Sequence, residues 1–348
     1  MRARRLQVAD AVAWTGAILG TAGVESDAAR TAAEMMVRTE ARGVRTHGLT
    51  RLASYLEKMQ AGEVNPAARI TVRKQAGVCT VDADGALGQV AAARAVDEGM
   101  SLLQDAPSVI CRIRNCGHLG ALGIYALVAA EHGYLALVFQ RTPPLMGLAG
   151  FGGPALGNNP MGFGCPIPGP GPLVFDMACS VAARGHVLVA AREQRPIPDG
   201  WALDAQGRPT TSAEAALHGS LMPMAGHKGL GLAMMAECLA GALAGGDVES
   251  LRSGQSVPRS GAAGGQSTLI WLVNPALTTG SAFDAYLQAW TGSFKAHAGP
   301  GGRLPGERAS ALEAQANREG LELSGSLAAE LDDIGAARQL AVPWTQGH

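Results

Sequence analysis

From Ile70 to Val273 the chain alternates between apolar segments suited to β-strands and segments with helical periodicity. The stretch ITVRKQAGVCTVDADG is predicted to form a strand, a turn and a second strand. Further strands are predicted at 108–114, 134–140, 172–178 and 268–273. Helices are predicted at 87–104, 120–132, 181–193 and 228–244. Strands interleaved with helices in this way predict an α/β sheet domain.

Both ends of the chain are predicted to be helical. The first 62 residues contain one helix that Gly43 ends and a second that starts near Thr46 to Gly48. The tail returns to helix at 307–338. Two segments rich in Gly and Pro, 141–171 and 245–266, are predicted to be loops.

The bulk composition excludes several functional classes. The chain has 348 residues, a net charge of −1 and no run of Lys and Arg, so it carries no electrostatic footprint for nucleic acid. No apolar stretch approaches the roughly 20 residues that cross a bilayer. The six cysteines form no CxxC pair and are expected to be reduced thiols, which suits a cytoplasmic protein.

The segment RGVRTHGLTRLASY, residues 42–55, places His47, Arg51 and Tyr55 four residues apart. On a helix that begins at His47, the three side chains lie on one face, on successive turns. The helix N-terminus disfavours imidazolium and keeps the pKa of His47 near or below neutrality. Arg51 offers a planar fork for a carboxylate. The segment predicts a site for a small acid; a capping His47 beside a solvated Arg51 is the alternative.

Other segments supply further candidates. His118 lies between glycines at a strand-to-helix junction, and Asp176 ends an apolar strand, where a buried acid needs a partner such as a histidine. The alternatives are that His118 is only a polar residue of a loop and that Asp176 only caps the helix that follows. Lys228 follows His227 at a glycine-rich helix start, which suggests a bound anion. These histidines and Asp176 lack the spacing of a zinc motif, so no metal is predicted.

The segment GFGGPA, residues 150–155, formally matches the glycine pattern of dinucleotide-binding loops. That loop must leave a strand and open a helix, so that the pyrophosphate meets the helix N-terminus. Prolines at 154, 160 and 166 prevent a helix here. A Rossmann fold is therefore not predicted.

Eight segments in one order resemble the malate/L-lactate dehydrogenase family, over roughly residues 5 to 340. They are RGVRTHGLTRL, GEVNP, GHLGALGIYALVAAEHG, LGNNPMGFGCP, FDMACSVAARG, IPDGWALDAQGRPTT, GHKGLGLAMM and RLPGER. The resemblance implies an NAD(P)-dependent oxidoreductase with a non-Rossmann α/β fold. It implies a helical domain built from both chain ends (1–68 and 303–348), a large mixed-sheet domain that binds the cofactor (69–302), and a homodimer with sites near the subunit interface.

The resemblance also implies roles for individual residues. His47 matches the catalytic acid/base, oriented by Thr46 and Asp176, and Arg51 matches the binder of the substrate carboxylate, with Tyr55 as a further substrate contact. In some members the histidine matching His118 is itself the acid/base, so the choice of histidine stays open. Cofactor contacts are implied for His118, Gly120, Asn158, Asp176, Met177, Ala178, His227, Lys228, Pro305, Gly306 and Glu307.

Three positions depart from the family pattern. Thr46 stands where the family usually has Ser, Arg45 where Asp is common, and Leu119 where an aromatic residue is usual. The Thr46 methyl group is expected to tighten the pocket, and Arg45 to add positive charge beside the site.

The expected reaction is hydride transfer between a nicotinamide cofactor, NAD or NADP, and C2 of a small 2-hydroxy or 2-keto acid. Reduction of a cyclic imino acid such as Δ1-pyrroline-2-carboxylate is the alternative within the enzyme class. A dimer that binds ligand without catalysis is the alternative outside it, and the three departures from the family pattern are its main support.

Overall fold

The computed structural model describes residues 3–345 apart from residues 170, 247 and 249–265. Helices in the described residues are α1 (Val8–Thr21), α2 (Ser26–Ala41), α3 (Leu52–Gln60), α4 (Gly88–Leu102), α5 (Gly123–Glu131), α6 (Arg184–Arg192), α7 (Ala213–Leu217), α8 (His227–Ala236), α9 (Ser281–Ala298), α10 (Glu307–Glu319) and α11 (Gly325–Ala337). Strands are β1 (Arg4–Leu6), β2 (Thr71–Gln75), β3 (Val78–Asp82), β4 (Ser108–Cys116), β5 (Leu135–Gln140), β6 (Pro144–Met146), β7 (Leu156–Gly157), β8 (Met161–Cys165), β9 (Leu173–Met177), β10 (Ala202–Leu203), β11 (Pro209–Thr210), β12 (Ser220–Leu221), β13 (Gln266–Val273) and β14 (Leu321–Leu323).

A seven-stranded mixed sheet forms the centre of the fold, in the order β2-β3-β4-β13-β5-β8-β9. The β3–β4 pair is parallel and the other pairs are antiparallel. Buried residues alternate along β3 and β4, and α4 and α5 cover that face. A second sheet has the order β11-β10-β12-β6-β7. The predicted α/β class and the predicted central strands are confirmed.

The two chain ends pack together as a helical unit. Strand β1 pairs with β14, and α1 packs along α2. One apolar cluster joins residues between Leu6 and Val64 to residues between Ala316 and Val342, with Leu87 as its contribution from the middle of the chain. The domain boundaries expected from the sequence stay a prediction.

The segment 141–171, predicted to be a loop, contains β6, β7 and β8 instead. The prediction was wrong because the glycines of β8 have a packing role. A Cβ on Gly162 would lie 2.8 Å from the Leu122 carbonyl carbon, and one on Gly164 would lie 2.2 Å from the Ala126 carbonyl oxygen. Helix α5 therefore packs directly on the backbone of β8, and a residue larger than glycine at either position would prevent this close approach. The loop 150–153 joins two strands, so the rejection of the dinucleotide-binding motif is confirmed.

Three predicted helices need correction. The tail is two helices separated by β14, because Gly320 has a φ of +84° and ends α10. The helix predicted at 228–244 begins as α8 and continues as a π-helix over Glu237–Leu243. The helix predicted from 181 begins at Arg184. Most of the predicted loop 245–266 lies outside the described residues. None of the helices described is long and apolar enough to span a membrane.

Candidate active site

Residues 45–51 form the segment that carries His47 and Arg51, and we call it the catalytic loop. The helix predicted to start at Thr46 to Gly48 is wrong. Two separate 3-10 turns, Arg45–His47 and Leu49–Arg51, precede α3, because Gly48 adopts a conformation that is neither helical nor extended (φ −91°, ψ −136°) between them. Arg51 Nε donates to the Thr46 carbonyl at 2.7 Å, so the two turns fold against each other. The predicted residues are brought together by a different backbone from the one expected.

His118 lies beside the catalytic loop, and its hydrogen bonds define its tautomer. Its Nδ1 is 3.0 Å from the Tyr55 hydroxyl and 3.3 Å from the Gly120 backbone nitrogen. The Gly120 N–H can only donate, so Nδ1 is an acceptor. The Tyr55 hydroxyl donates to Nδ1 and accepts from Gln89 Nε2 at 2.8 Å. The neutral His118 ring therefore carries its proton on Nε2.

The two histidines lie close together and are both neutral near pH 7. Their ring centroids are 5.6 Å apart. Burial, with a contribution from the positive charge of Arg51, lowers the pKa of His47 to about 4. Burial and the neighbouring His47 and Arg51 lower the pKa of His118 to about 3. The predicted direction for His47 is right, but its cause is burial and a nearby cation, since α3 begins only at Leu52.

Thr46 and Arg51 leave defined groups available for a ligand. The Thr46 hydroxyl is 2.9 Å from His47 Nδ1, which leaves Nε2 of His47 available. Arg51 uses Nε for the Thr46 carbonyl, and its two terminal nitrogens have no hydrogen-bond partner in the part of the chain that is described. A planar pair of free N–H donors suits a carboxylate.

Asp176 lies on β9 and contacts the start of α5. Its Oδ2 accepts from the Gly123 backbone nitrogen at 2.8 Å, so it caps the helix that follows the His118 loop. The side chain is exposed, yet burial raises the pKa of its carboxyl to about 6. Protein atoms therefore surround this carboxyl group closely although solvent reaches part of the residue. Among the described contacts, the predicted relay shows its Thr46–His47 link, whereas Asp176 contacts Gly123 and not His47.

Strand β9 is an edge strand, and the backbone at its start and just beyond its end forms hydrogen bonds with three other segments of the predicted site. The Val174 nitrogen donates to the Pro305 carbonyl at 3.1 Å. Just beyond the strand, the Cys179 nitrogen donates to the Asn158 carbonyl at 2.9 Å, and the Cys179 carbonyl accepts from the Met224 nitrogen at 2.9 Å. The turn before α8, the 158 segment and the 305–306 turn therefore converge on one strand.

One protein-family model covers most of the sequence. The model for malate/L-lactate dehydrogenase matches residues 6–332. The chain belongs to the malate/L-lactate dehydrogenase family. It is therefore an NAD(P)-dependent oxidoreductase, as the sequence predicted.

Relatives of this family member act on different substrates. The (2R)-3-sulfolactate dehydrogenase (NADP(+)) of Chromohalobacter salexigens is 34% identical over 336 residues, covering 96% of this chain and 99% of the relative. The Δ1-pyrroline-2-carboxylate reductase of Pseudomonas fluorescens is 32% identical over 329 residues, covering 91% and 94%. The structure of Δ1-piperideine-2-carboxylate reductase from Pseudomonas syringae superposes with a TM-score of 0.85 at 28% identity, covering 95% and 99%.

The residues predicted to contact the cofactor of this dehydrogenase family fit a nicotinamide dinucleotide. Gly226, with a φ of +61°, precedes α8, and His227 and Lys228 are exposed at the N-terminus of that helix, where a phosphate is favoured. A Cβ on Gly226 would meet no atom within 4 Å, so the space beside this turn is open. Met177 and Ala178 are half-buried where β9 ends.

The other predicted cofactor residues have structural contacts of their own. The Asn158 side-chain oxygen accepts from the Thr142 hydroxyl at 2.9 Å, and its amide nitrogen has no acceptor among the residues described. A Cβ on Gly306 would lie 3.0 Å from the Val174 nitrogen. Glu307 forms an ion pair with Lys295 at 2.8 Å and accepts from the Leu304 nitrogen at 3.1 Å, so both of its oxygens are already engaged.

The three departures from the family pattern leave the site's polar groups in place. Thr46 keeps its hydroxyl on His47. Leu119 is buried in the core below α5 and does not replace a polar group. Arg45 was expected to add positive charge beside the site; it lines a cavity of about 220 Å³ with Glu40 and Arg5, so its charge lies on the Glu40 side of the catalytic loop and not on the His47 side. Its charge acts on Glu40, while Arg51 is the cation that acts on His47.

Two residues of the site were not predicted from the sequence. Gln89 lies in the first turn of α4 and is 2% exposed, and Glu40 lies near the end of α2 and is 5% exposed. Each is a buried polar residue within a helix, which is a weak signal for a site. Only the fold brings them to Tyr55 and the catalytic loop.

Proposed function

We propose that the enzyme transfers hydride between a nicotinamide cofactor and C2 of a small 2-hydroxy or 2-keto acid. In this proposal His47 is the acid/base and Arg51 anchors the substrate carboxylate. The observation that carries it is the arrangement around His118: a neutral ring with Nε2–H as its donor, beside a second neutral histidine and a guanidinium with free N–H groups.

His118 acts in this proposal as a hydrogen-bond donor to the substrate oxygen. Its Nδ1 already accepts from Gly120 and Tyr55, so a full proton transfer from Nε2 would leave an imidazolate. As a fixed donor it stabilises negative charge that develops on the oxygen. In this proposal, proton transfer is therefore assigned to His47.

His47 exchanges the substrate proton through Nε2. In the oxidation direction, the neutral ring accepts the proton of the C2 hydroxyl group as hydride leaves C2 for the nicotinamide. In reduction, His47 returns that proton to the oxygen. The charge of Arg51 helps to lower the pKa of His47, so a carboxylate bound to Arg51 offsets this effect and raises the pKa toward the working range.

The fixed donor on His118 favours a keto acid over a cyclic imine. A keto oxygen accepts a hydrogen bond from Nε2–H, whereas a protonated cyclic imine presents an N–H donor to the same position. Reduction of a cyclic imino acid remains the second candidate, because a Δ1-pyrroline-2-carboxylate reductase aligns with 91% of the chain. Arg51 would hold the carboxylate of either substrate.

A substrate panel tests the proposal. Pyruvate, oxaloacetate, 3-sulfopyruvate and Δ1-pyrroline-2-carboxylate are each assayed with NADH and NADPH. We expect turnover of at least one keto acid, and His47→Ala should lose turnover while cofactor binding persists. Turnover of the imine alone would favour the second candidate. Cofactor binding without turnover of any acid would support a dimer that has lost its chemistry, and near-normal rates in His47→Ala would remove His47 from the mechanism.

We also propose that the enzyme is a homodimer in which a second copy covers α9. This 18-residue helix exposes Tyr286, Trp290 and Phe294 on its surface, and only Thr291 on it is buried. Exposed aromatic clusters of this kind mark interaction surfaces. Light scattering should give twice the chain mass for the wild type and a smaller mass for Trp290→Glu. A monomeric wild type would refute the proposal.

We propose a cytoplasmic location, since all six cysteines are free thiols and five of them are buried. Fractionation of the source cells would test it, and recovery in a membrane or extracellular fraction would contradict it.

A further inference from the structure

Glu40 is a buried acid that the proposed mechanism does not use, and it lies directly beneath the catalytic loop. Its Oε2 accepts from the Leu49 backbone nitrogen at 3.1 Å. Within the described residues, no Lys, Arg or His nitrogen lies within ion-pair distance of it. A buried carboxyl whose hydrogen-bond donor is one backbone N–H costs free energy unless it has a role.

The catalytic loop packs against Glu40 without space for a side chain at Gly48. A Cβ on Gly48 would lie 2.3 Å from Glu40 Oε2 and 2.9 Å from Glu40 Cβ. Leu49 follows at once, and it begins the second 3-10 turn. The contact therefore holds the junction between the turn that ends in His47 and the turn that ends in Arg51.

We propose that Glu40 is a positioning residue for catalysis: its carboxylate holds the Leu49 amide and thereby sets the separation between His47 and Arg51. The inference rests on the proposed function, because the separation matters when one group moves the substrate proton and the other holds the carboxylate. Displacement of a positioned group by about 1 Å can reduce a rate by about two orders of magnitude.

The charges around Glu40 make this contact depend on pH. Arg45 faces it from the catalytic loop, and Arg5, Glu319 and Glu322 line the same cavity from the chain ends. Burial raises the pKa of Glu40 to about 7, and the Leu49 N–H and Arg45 offset part of this effect. The carboxylate is a stronger acceptor than the protonated acid. The Leu49 contact therefore strengthens as pH rises through about 7.

Global stability changes in the opposite direction over the same range. The pKa of Glu40 is higher in the folded chain than its ordinary value of 4.5, so the folded state binds the proton more tightly. The contribution of Glu40 to the free energy of unfolding is fully present below about pH 4.5 and is lost as pH rises through about 7. With rising pH, a positioning role for Glu40 increases the relative activity of the wild type, whereas the stability contribution of Glu40 decreases. The two roles therefore predict opposite trends.

Glu40→Gln tests the inference because the amide keeps the size and an acceptor oxygen but does not ionise. We expect kcat/KM of the wild type to exceed that of Glu40→Gln by about five-fold near pH 8.5 and to approach equality near pH 6. Over the same interval, Glu40→Gln should gain thermal stability relative to the wild type. The ratio of the two enzymes cancels other titrating groups, Asp176 included.

Glu40→Leu removes the acceptor. It should lower kcat and raise KM for the acid substrate, with no change in the Kd of the cofactor. Glu34→Gln is the matched control, because the Glu34 side chain is 42% exposed on the same helix and, among the described residues, pairs with Arg30 alone. It should match the wild type at every pH. If Glu40→Leu does not fold, the Glu40→Gln comparison decides alone.

A readout without substrate separates this inference from the proposed function. Hydrogen exchange of the Leu49 amide, corrected for its intrinsic rate, should be faster in Glu40→Leu than in the wild type. If the Leu49 amide exchanges faster in Glu40→Leu but the wild type turns over no substrate, the proposed function is rejected, while the hydrogen bond between Glu40 and Leu49 is supported. A wild-type to Glu40→Gln activity ratio that does not change with pH, or unchanged Leu49 exchange, would overturn the inference.

Discussion

Replacement of Tyr55 with Phe tests the assignment of His118 as a fixed donor. Tyr55 is 2% exposed, and its hydroxyl donates to His118 Nδ1 at 3.0 Å and accepts from Gln89 Nε2 at 2.8 Å. The phenyl ring fills the same space, so the variant removes a single oxygen atom. Gln89 Oε1 already has no hydrogen-bond partner in the described part of the protein, so the whole amide would become unpartnered.

The size of the effect follows from these contacts. An unsatisfied buried amide costs about 1–3 kcal/mol of unfolding free energy. His118 Nδ1 keeps only the Gly120 N–H at 3.3 Å, so a single long hydrogen bond is left to oppose the other tautomer, in which Nε2 has no proton to donate. We expect kcat to fall about 10-fold, which corresponds to about 1.4 kcal/mol in the barrier. KM for the acid should change little, because Arg51 is untouched.

Three measurements check this prediction: steady-state kinetics, denaturant unfolding, and the ¹⁵N chemical shifts of the His118 ring, which distinguish the tautomers. Tyr134→Phe is the matched control, because Tyr134 is half-buried and its hydroxyl makes no hydrogen bond to any described residue. A Tyr55→Phe enzyme with kcat within two-fold of the wild type and an unchanged tautomer would refute the role given to His118.

Three further predictions address the substrate anchor Arg51, the central sheet and the Asp176 carboxyl. Arg51→Lys should mainly raise KM for the acid substrate, since a point charge does not reproduce the fork; unchanged KM would exclude the anchor. Gly164→Ala should lower the unfolding free energy by more than about 2 kcal/mol, because its Cβ would lie 2.2 Å from the Ala126 oxygen, whereas Gly152→Ala, with open space, should be neutral. Burial raises the pKa of Asp176 from 3.8 to about 6, so wild-type stability should fall as pH rises through 6, and pH-dependent melting of Asp176→Asn should lack that fall.

The central strands and the family could be predicted because their signals are local and repeated. Alternating apolar residues in β3 and β4 face α4 and α5, and the apolar run of β13 contacts both layers, so these patterns predict which residues are buried. The family motifs are short and lie in one order, and the match over residues 6–332 confirmed them.

Glycine was the main source of error in the fold. In sequence, the glycines of MGFGC resemble those of a turn, yet Gly162 and Gly164 lie inside β8 under α5. At Gly48 the same residue type divides a predicted helix into two turns because the loop passes close to Glu40. A missing side chain permits either a turn or a close approach, and only the packing partner decides between them.

The site itself depends on contacts between residues far apart in the chain, and local patterns carry little information about these. His47, Arg51 and Tyr55 were predicted to lie together because helical spacing brings such residues together, and they do so without that helix. Gln89 reaches Tyr55 from 34 residues away, and Asp176 reaches Gly123 from 53. In each case the effect is on orientation: Gln89 directs the Tyr55 hydroxyl, which together with the Gly120 N–H fixes the His118 tautomer, and Asp176 holds the start of the helix that follows it. Motifs can therefore name the groups that meet the substrate, while the residues that fix their protonation and direction require the fold.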